Sequence, residues 1–290
     1  MGRALPGRSP AHTHGGERVS ATPDPAGAAR RRPDVTHLVV DDALRAELGR
    51  LAAVPSLLVA SDYDGTLAEL VDDPALAHPD PTAIDAMSRL AALAHTEVAI
   101  VSGRSLHDLE QLTGLRGVAH LVGSHGSEFE PGVVSGVREG DLAVLDRARS
   151  MVEAIAARAP ASRVEAKPAS VAFHTREVDP DLVPELVDAV ATGPGSLAGI
   201  SVKRGKDVIE LTVTDATKGS ALALLREQLG VDAVLFVGDD LTDEDAFTAL
   251  HPGDVGVKVG PGATMADHRV PDVRTVAELL HALARLRADT

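Results

Sequence analysis

The chain of 290 residues has no cysteine and no tryptophan, and it has only one tyrosine and four phenylalanines. The lack of cysteine excludes disulfides, thiolate nucleophiles and cysteine-ligated metal sites. The shortage of aromatic rings leaves almost no stacking platform for nucleic-acid bases or sugar rings. We therefore expect any ligand to be held by hydrogen bonds and charges.

Long apolar runs and a surplus of positive charge are also missing. No apolar run approaches the roughly 18 residues of a membrane span, and no apolar segment follows the N-terminal arginines as a secretory signal requires. The net charge is −15, although residues 1–36 carry six arginines against three acids. Because neutralised phosphates supply most nucleic-acid affinity, we expect this acidic chain to have no nucleic-acid partner. We also expect no membrane partner and a monomer in the cytoplasm.

Composition divides the chain into a tail, a core and an insertion. Residues 1–36 are rich in Gly, Pro and Arg without an apolar period, which predicts a disordered tail. Residues 37–127 and 214–290 alternate buried strand-like runs with helical stripes, which predicts an α/β core with a parallel sheet flanked by helices. Residues 128–213 contain shorter elements that alternate apolar and polar side chains, as in "SVAFHTR". We predict that they form an inserted α+β unit.

Two helix starts are predicted from capping residues. Thr217 precedes the apolar stripe of "KGSALALLREQL" and is expected to cap that helix. Thr242 and Asp245 have the spacing of a capping box, which predicts another helix over "TDEDAFTAL".

Polar groups follow several predicted strands at the point where each strand ends. In a parallel sheet, ligands bind beyond the carboxyl ends of the strands, so these groups are expected to meet at one edge. Lys218, at a helix start, can point to the same edge. The groups are Asp62 and Asp64 after the first strand, Ser102, Gly103 and Arg104 after the second, and Asp239, Asp240 and Asp243 after a later one.

Carboxylates gathered in this way repel one another unless a cation lies among them or one stays protonated. Oxygen ligands without cysteine favour a hard cation, Mg²⁺ before others. One oxygen of Asp62 can then bind the metal while the other attacks an electrophile, and Asp64 can point toward a leaving group. Gly65 and Thr66 permit a turn and offer amides and a hydroxyl to an anion.

Each motif also has an ordinary structural interpretation when it stands alone. Asp-x-Asp is common in turns and helix caps, and a lysine at a helix start is commonly exposed. "GDDLTDED" fits a solvated acidic loop or a calcium-binding loop as well. The joint order of the motifs, each after a buried strand or at a helix start, is what favours a catalytic site.

In this order, "DYDGT" (62–66), Ser102, Lys218 and "GDD" (238–240) resemble the four motifs of haloacid-dehalogenase-like phosphatases. The finer resemblance is to trehalose-6-phosphate phosphatases, and it covers residues 45–288. It rests on "SDYDGTLAEL", "VSGRSLHDL", "GSHGSE", "VEAKPASVAFHTR", "GKDVIELTV" and "VGDDLTDEDAF". The resemblance implies a Rossmann-like core with an inserted α+β cap that determines substrate specificity.

The resemblance also implies a mechanism. Asp62 is the nucleophile that forms an aspartyl-phosphate, and Asp64 protonates the leaving sugar oxygen and then deprotonates the attacking water. Ser102 and Lys218 hold the transferring phosphoryl group. Mg²⁺ is bound by Asp62, the carbonyl of Asp64 and Asp239, with Asp240 or Asp243 in support.

Substrate contacts are expected on both sides of the site. In the core, the resemblance implies Thr66, Gly103 and Arg104, together with His125 and Glu128 of the "GSHGSE" turn. In the cap, it implies Glu165, Lys167, His174, Arg176, Lys206 and Glu210. His174 and Arg176 are expected to share one face of a strand. Pro168 and Thr175 depart from the family pattern, where a small residue and an aromatic are usual.

The sequence therefore predicts a Mg²⁺-dependent phosphatase that hydrolyses trehalose 6-phosphate. The chain lacks the glycosyltransferase domain fused to some relatives, so we expect no synthase activity. Two alternatives remain open. One is another capped sugar phosphatase, acting on sucrose phosphate or a glycosyl-phosphoglycerate. The other is a catalytically silent sugar-phosphate sensor.

Overall fold

Two β-sheets organise the computed structural model, which describes residues 40–71, 73–130, 133–134, 137, 140–205 and 207–290. The predicted tail, residues 1–36, lies outside these ranges, as does Lys206. The described strands are β1 (Leu57–Ser61), β2 (Thr96–Val101), β3 (His120–Gly123), β4 (Glu128–Phe129), β5 (Val133–Val134), β6 (Arg163–Lys167), β7 (Ser170–His174), β8 (Ser201–Gly205), β9 (Val208–Thr212), β10 (Ala233–Gly238), β11 (Val255–Val259) and β12 (His268–Val270).

Eight α-helices accompany the strands within the same ranges. They are α1 (Asp42–Ala52), α2 (Pro81–Ala91), α3 (Leu106–Thr113), α4 (Asp141–Ala156), α5 (Val183–Thr192), α6 (Lys218–Leu229), α7 (Asp243–Thr248) and α8 (Val273–Ala288). Over the described part of the chain, no helix has both the length and the apolar character needed to cross a lipid bilayer.

The larger sheet has the strand order β12-β11-β10-β1-β2-β3-β4-β5. Strands β12 to β3 run parallel, and β4 and β5 are added antiparallel at the edge. Central strand β1 is buried along its whole length, with its side chains alternating between two apolar clusters, one containing α1, α2 and α8 and the other containing α6 and α7. The predicted α/β fold with a mostly parallel sheet flanked by helices is confirmed.

Strand register brings the predicted site motifs together. Ser61, the last residue of β1, lies between Ile100 of β2 and Val237 of β10. The residues that follow these three strands therefore emerge side by side at one edge of the sheet, as ligand-binding groups do in parallel α/β folds.

The smaller sheet is antiparallel, with the order β6-β7-β9-β8. Its apolar face packs against α4 and α5, and Phe173, Ile209 and Leu211 are completely buried there. The opposite face carries Glu165 and Glu210, which alternate with the apolar residues along their strands. This pattern confirms the predicted sheet with one apolar and one polar face.

The start of the predicted insertion differs from the observed sheets. The prediction assigns residues 128–213 to the inserted unit, but β4 and β5 belong to the larger sheet. Glycines near residue 130 mark a change in the sequence pattern, yet the chain adds two more strands to the larger sheet before α4 begins. Pairing of such short strands has no signal in composition.

One predicted helix cap is present and the other is absent. The side-chain oxygen of Thr217 accepts the amide of Ser220, whose hydroxyl accepts the amide of Thr217, completing a capping box at the start of α6. Thr242 makes no side-chain cap and has helical dihedral angles, so the predicted capping box with Asp245 is wrong. A neighbouring acid, Asp243, instead accepts the amides of the loop that precedes α7.

Candidate active site

Asp62 lies immediately after β1 in a buried position, and its backbone amide donates to Val237 O at 2.9 Å. Gly65 then turns the chain with φ = +76°, and a Cβ atom at this position would lie 2.1 Å from Asp239 Oδ2. The missing side chain at Gly65 therefore lets the first motif pack directly against the acid that follows β10.

Lys218 is the cation at the centre of the acidic cluster. Its Nζ lies 2.8 Å from Asp62 Oδ1 and 2.8 Å from Asp243 Oδ1, and its side chain is only 2% exposed. Burial disfavours the charged form of Lys218, but Asp62 and Asp243 outweigh burial and raise its pKa. Burial also raises the pKa of Asp62, against the opposing effect of Lys218. Lys218 is thus held as an ammonium beside the predicted nucleophile.

Asp243 organises the loop between β10 and α7. Its Oδ2 accepts the backbone amides of Asp239 and Asp240, each at 2.9 Å, while its Oδ1 accepts from Lys218. Asp240 is exposed, and its Oδ1 accepts the amide of Leu241 at 2.6 Å. Of the two predicted supporting acids, only Asp243 lies within the buried cluster.

Asp62, Asp239 and Asp243 form the one group of described residues that could hold a metal ion. Each offers a carboxylate oxygen, and these oxygens lie within 4.8 Å of one another. Asp239 Oδ1 is buried without a hydrogen-bond donor among the described residues, and burial, followed by Asp243 and Asp240, raises the pKa of Asp239 to about 6. Because a buried carboxylate oxygen without a donor is costly, the cluster fits a hard cation.

Asp64 points elsewhere and pairs with Arg104. Arg104 Nε donates to Asp64 Oδ2 and Nη2 donates to Oδ1, both at 2.7 Å. The predicted proton shuttle is therefore held by a residue that was predicted to contact the substrate.

Ser102 and His125 line the same edge of the sheet. The hydroxyl of Ser102 accepts the amide of Arg104 at 3.2 Å, and a Cβ at Gly103 would lie 2.4 Å from the ring of His125. Ser124 and His125 both have positive φ, 49° and 56°, which is uncommon for residues other than glycine. The buried Nδ1 of His125 has no partner among the described residues. Burial, then the charge of Lys218, lowers the pKa of His125 to about 4, so its ring is neutral at pH 7.

Glu128, a predicted substrate contact, accepts hydrogen bonds from two groups of the core. Its Oε2 accepts the amide of Leu106 at 2.9 Å, at the start of α3, and its Oε1 accepts the hydroxyl of Ser124. Both carboxylate oxygens are used inside the protein. Glu128 thereby anchors the strained Ser124–His125 turn. No pattern in the sequence indicates this role of Glu128.

Lys167 connects the polar face of the smaller sheet to the loop after β2. Its Nζ donates to Gly103 O at 3.2 Å and lies 3.4 Å from Glu210 Oε1. Glu210 Oε1 also accepts the hydroxyl of Ser170 at 2.5 Å. Burial alone would raise the pKa of Glu210, but Lys167 and Ser170 outweigh it, and this pKa is lowered. The structure thus places Lys167 and Glu210 beside the site and adds Ser170, which the sequence analysis missed.

The remaining predicted contacts differ in their exposure and in their hydrogen-bond partners. His174 Nε2 lies 2.9 Å from Glu165 Oε2, and this hydrogen bond lowers the pKa of Glu165 to about 2. Strand β7 ends at His174, so Arg176 does not share its strand face as predicted; Arg176 is exposed and lies 3.9 Å from Asp207. Thr66 is buried, with a hydroxyl that has no hydrogen-bond partner within the described ranges.

Lys258 is a buried residue at the site that the sequence analysis missed. It lies on β11, and its Nζ donates to the backbone carbonyl of Asp239. Its charge also opposes the rise in the pKa of Asp239. The only signal in the sequence is a single lysine inside the apolar run "VGVKVG", which reads as a strand with an ordinary surface residue.

Most of the chain matches a known protein family. The family model for trehalose-phosphatases matches residues 60–276. A trehalose-phosphate phosphatase of Mycobacterium marinum is 37% identical in an alignment 289 residues long, and this alignment covers 93% of this chain and 72% of the relative. A bifunctional trehalose-6-phosphate synthase/phosphatase of Thermoproteus tenax is 38% identical over 232 residues, covering 78% of this chain. The chain spans 32% of the length of that bifunctional protein.

A solved structure resembles the fold as well. The crystal structure of a trehalose-6-phosphate phosphatase related protein superposes with a TM-score of 0.66 at 27% identity, covering 80% of this chain and 98% of that chain. The likeness extends over nearly the whole of the solved chain.

Proposed function

Since this chain belongs to the trehalose-phosphatase family, we propose that it hydrolyses trehalose 6-phosphate to trehalose and phosphate in trehalose biosynthesis. The observation that carries this proposal is the buried Asp62–Lys218 pair at the end of β1. This carboxylate lies beside a lysine that is held in its charged form, at the ligand-binding edge of a parallel sheet. It is therefore suited to attack a phosphoryl group.

In the first step, a carboxylate oxygen of Asp62 attacks phosphorus and forms an aspartyl-phosphate. The bond between phosphorus and the sugar oxygen breaks, its electron pair stays on the sugar oxygen, and Asp64 supplies the proton. Ser102 and Lys218 hold the phosphoryl oxygens during this transfer. Positioning and charge stabilisation of this kind supply most of the catalysis in phosphoryl transfer.

In the second step, water attacks the phosphorus of the aspartyl-phosphate. Asp64 takes the proton of this water, the bond to Asp62 breaks, and the electron pair returns to the Asp62 carboxylate. Inorganic phosphate leaves, and both acids are restored to their starting states. Asp64 thus serves as acid and then as base within one cycle.

We propose Mg²⁺ as the cofactor, because the cluster offers three carboxylates, including one oxygen of Asp239 that receives no donor from the described residues, and such a set suits a hard cation. Asp62, the carbonyl of Asp64 and Asp239 would hold it, with Asp240 or Asp243 in support. When bound, Mg²⁺ supplies positive charge that offsets the charge of the phosphoryl oxygens. Asp243 already accepts three hydrogen bonds, so we assign it chiefly to orienting Lys218 and the loop of Asp239.

We propose that the smaller sheet with α4 and α5 is the cap that selects the sugar and excludes water. Its polar face carries charged and hydrogen-bonding groups, as an almost aromatic-free sugar site requires. The proposed contacts are Thr66, Gly103 and His125 in the core and Glu165, Lys167, His174, Lys206 and Glu210 in the cap. We also propose that the protein acts as a cytoplasmic monomer, in keeping with its acidic, cysteine-free composition.

Phosphate release from a panel of sugar phosphates, with and without Mg²⁺, tests this function. We expect kcat/KM for trehalose 6-phosphate to exceed that for sucrose 6-phosphate and glucosyl-phosphoglycerate by about 10²-fold, the discrimination a few polar contacts provide. Chelation should abolish turnover, and Asp62→Asn should do so while Asp85→Asn, on the exposed side of α2, should not. Equal rates across the panel would instead favour a sugar phosphatase of another specificity.

A further inference from the structure

We propose that Arg104 positions Asp64 for both proton transfers and that the forked guanidinium of Arg104 does not bind the substrate. This inference rests on the proposed function, because it assigns a task within that reaction. Arg104 was expected to contact the substrate, but its side chain is directed at the acid of the first motif.

The contact between the two side chains is bidentate. Arg104 Nε and Nη2 donate to the two carboxylate oxygens of Asp64 at 2.7 Å each. Paired contacts of this kind define the plane of a carboxylate as well as its position. Each carboxylate oxygen has two lone-pair sites, so one site on each remains available for a sugar oxygen or a water.

Burial shows which partner positions the other. The side chain of Arg104 is 11% exposed and that of Asp64 is 34% exposed. Arg104 has further attachments that do not involve Asp64: its Nη2 donates to Pro74 O at 2.8 Å, and its guanidinium lies 5.1 Å from the centre of the Tyr63 ring. Tyr63 is in turn held by its hydroxyl, which donates to Ala77 O at 2.7 Å. The arginine is therefore held from several sides, and the more exposed acid follows it.

A fixed orientation of the Asp64 carboxylate favours both proton transfers. Asp64 must present one oxygen to the leaving group and later to a water, and a partly exposed aspartate has several rotamers available. Misplacing a proton donor by a small distance costs a large part of its catalytic effect. The guanidinium restricts Asp64 to one orientation and remains charged at every working pH.

The test compares two leaving groups in Arg104→Met. A sugar alkoxide needs a proton from Asp64, whereas the nitrophenolate of p-nitrophenyl phosphate leaves without one. In rapid-mixing experiments with Mg²⁺, we expect phosphoryl transfer from trehalose 6-phosphate to slow by on the order of 10²-fold. The nitrophenolate burst should slow by less than about 10-fold, and KM for trehalose 6-phosphate should change little.

A double-mutant cycle with Asp64→Asn locates the effect. If Arg104 acts through Asp64, Arg104→Met should add little to the loss already present in Asp64→Asn. Arg104→Lys keeps the charge without the fork and should show the same leaving-group bias, so it reports on the proposal if Arg104→Met does not fold. Arg116→Met changes an exposed arginine whose partners are Glu110 and Glu130; it is the matched control and should behave as wild type.

Equal slowing of both leaving groups, or a large rise in KM with unchanged transfer, would overturn the proposal and return Arg104 to the substrate site. A full additional loss in the Asp64→Asn background would overturn it as well. Failure of the proposed function looks different, because the wild-type enzyme itself would then release no phosphate from trehalose 6-phosphate.

Discussion

At the scale of single residues, the site depends on how buried charges are balanced. Lys218 contacts two buried carboxylates at 2.8 Å each. Removing one partner of such a group leaves an uncompensated buried charge, which is strongly destabilising. The same surroundings lower the pKa of His125, first through burial and then through the charge of Lys218, so the histidine stays uncharged.

The suppressed protonation of His125 predicts a specific pH dependence of stability. The unfolded chain protonates this histidine below a pKa near 6.5, whereas the folded protein does so only near 4. Between these values the unfolded state binds more protons, so the free energy of unfolding falls as pH is lowered. In His125→Asn, which tolerates positive φ, we expect the loss between pH 7 and pH 5 to be smaller by about 2 kcal/mol.

Urea unfolding at pH 7, 6 and 5 measures this difference. His107→Asn, at an exposed position of α3, is the control and should keep the wild-type pH dependence. A His125→Asn profile parallel to that of the wild type would show that His125 is protonated normally in the folded protein.

The sequence predicts which strand-end residues meet at the candidate site, but it does not predict which groups several of them contact. Asp62 and Lys218 were expected at one site and lie 2.8 Å apart. Nothing in the sequence connects Arg104 with Asp64 or Glu128 with the amide of Leu106, because these contacts depend on side-chain directions that only the folded loops define. Lys258 was missed for the same reason.

At the scale of elements, one buried arginine adds hydrogen bonds to the apolar packing that holds helix α8 against the core. The guanidinium of Arg287 donates to backbone carbonyls at the end of α1 and in the loop that follows it, and to His95 O at 2.8 Å. Its Nε donates to the hydroxyl of Thr96 at the start of β2. One side chain thus supplies hydrogen bonds to the end of α1, to the loop after it and to the residues at the start of β2.

Removal of this arginine should destabilise the fold. Arg287→Met removes the side-chain donor of the Ala52 and Val54 carbonyls, and we expect the free energy of unfolding to fall by about 3 kcal/mol. Arg285→Met, at an exposed position of the same helix, should change it by less than about 0.5 kcal/mol. Urea denaturation of both variants measures the difference; equal stability would show that water satisfies the carbonyls.

Elements with strong periodicity were predicted well, and short elements were not. Apolar runs identified β1, β2 and β10, and Thr217 identified the start of α6. The predicted capping box at Thr242 failed because the amides before α7 are satisfied by Asp243, a tertiary contact. Strands β4 and β5 have two residues each, too few to produce a periodic signal.

At the scale of the whole molecule, the site is assembled from distant parts of the chain. Asp62 and Lys218 are separated by more than half of the sequence, and the smaller sheet is inserted between them. Lys167 reaches from that sheet to Gly103 O, so the same face that carries the proposed sugar contacts also touches the loop after β2. The fold thus places the proposed catalytic residues beside the proposed sugar contacts, although the sequence separates them.

The central claim is that Asp62 accepts the phosphoryl group. Asp64→Asn retains the nucleophile but lacks the base that activates water, so the aspartyl-phosphate should accumulate in it when the leaving group needs no proton, as with p-nitrophenyl phosphate. The direct measurement is mass spectrometry of peptides from this variant, acid-quenched after mixing with p-nitrophenyl phosphate and Mg²⁺. We predict one added phosphoryl group on the peptide containing Asp62 and none in Asp62→Asn combined with Asp64→Asn. Phosphate release without any such adduct, or an adduct on another residue, would contradict the account.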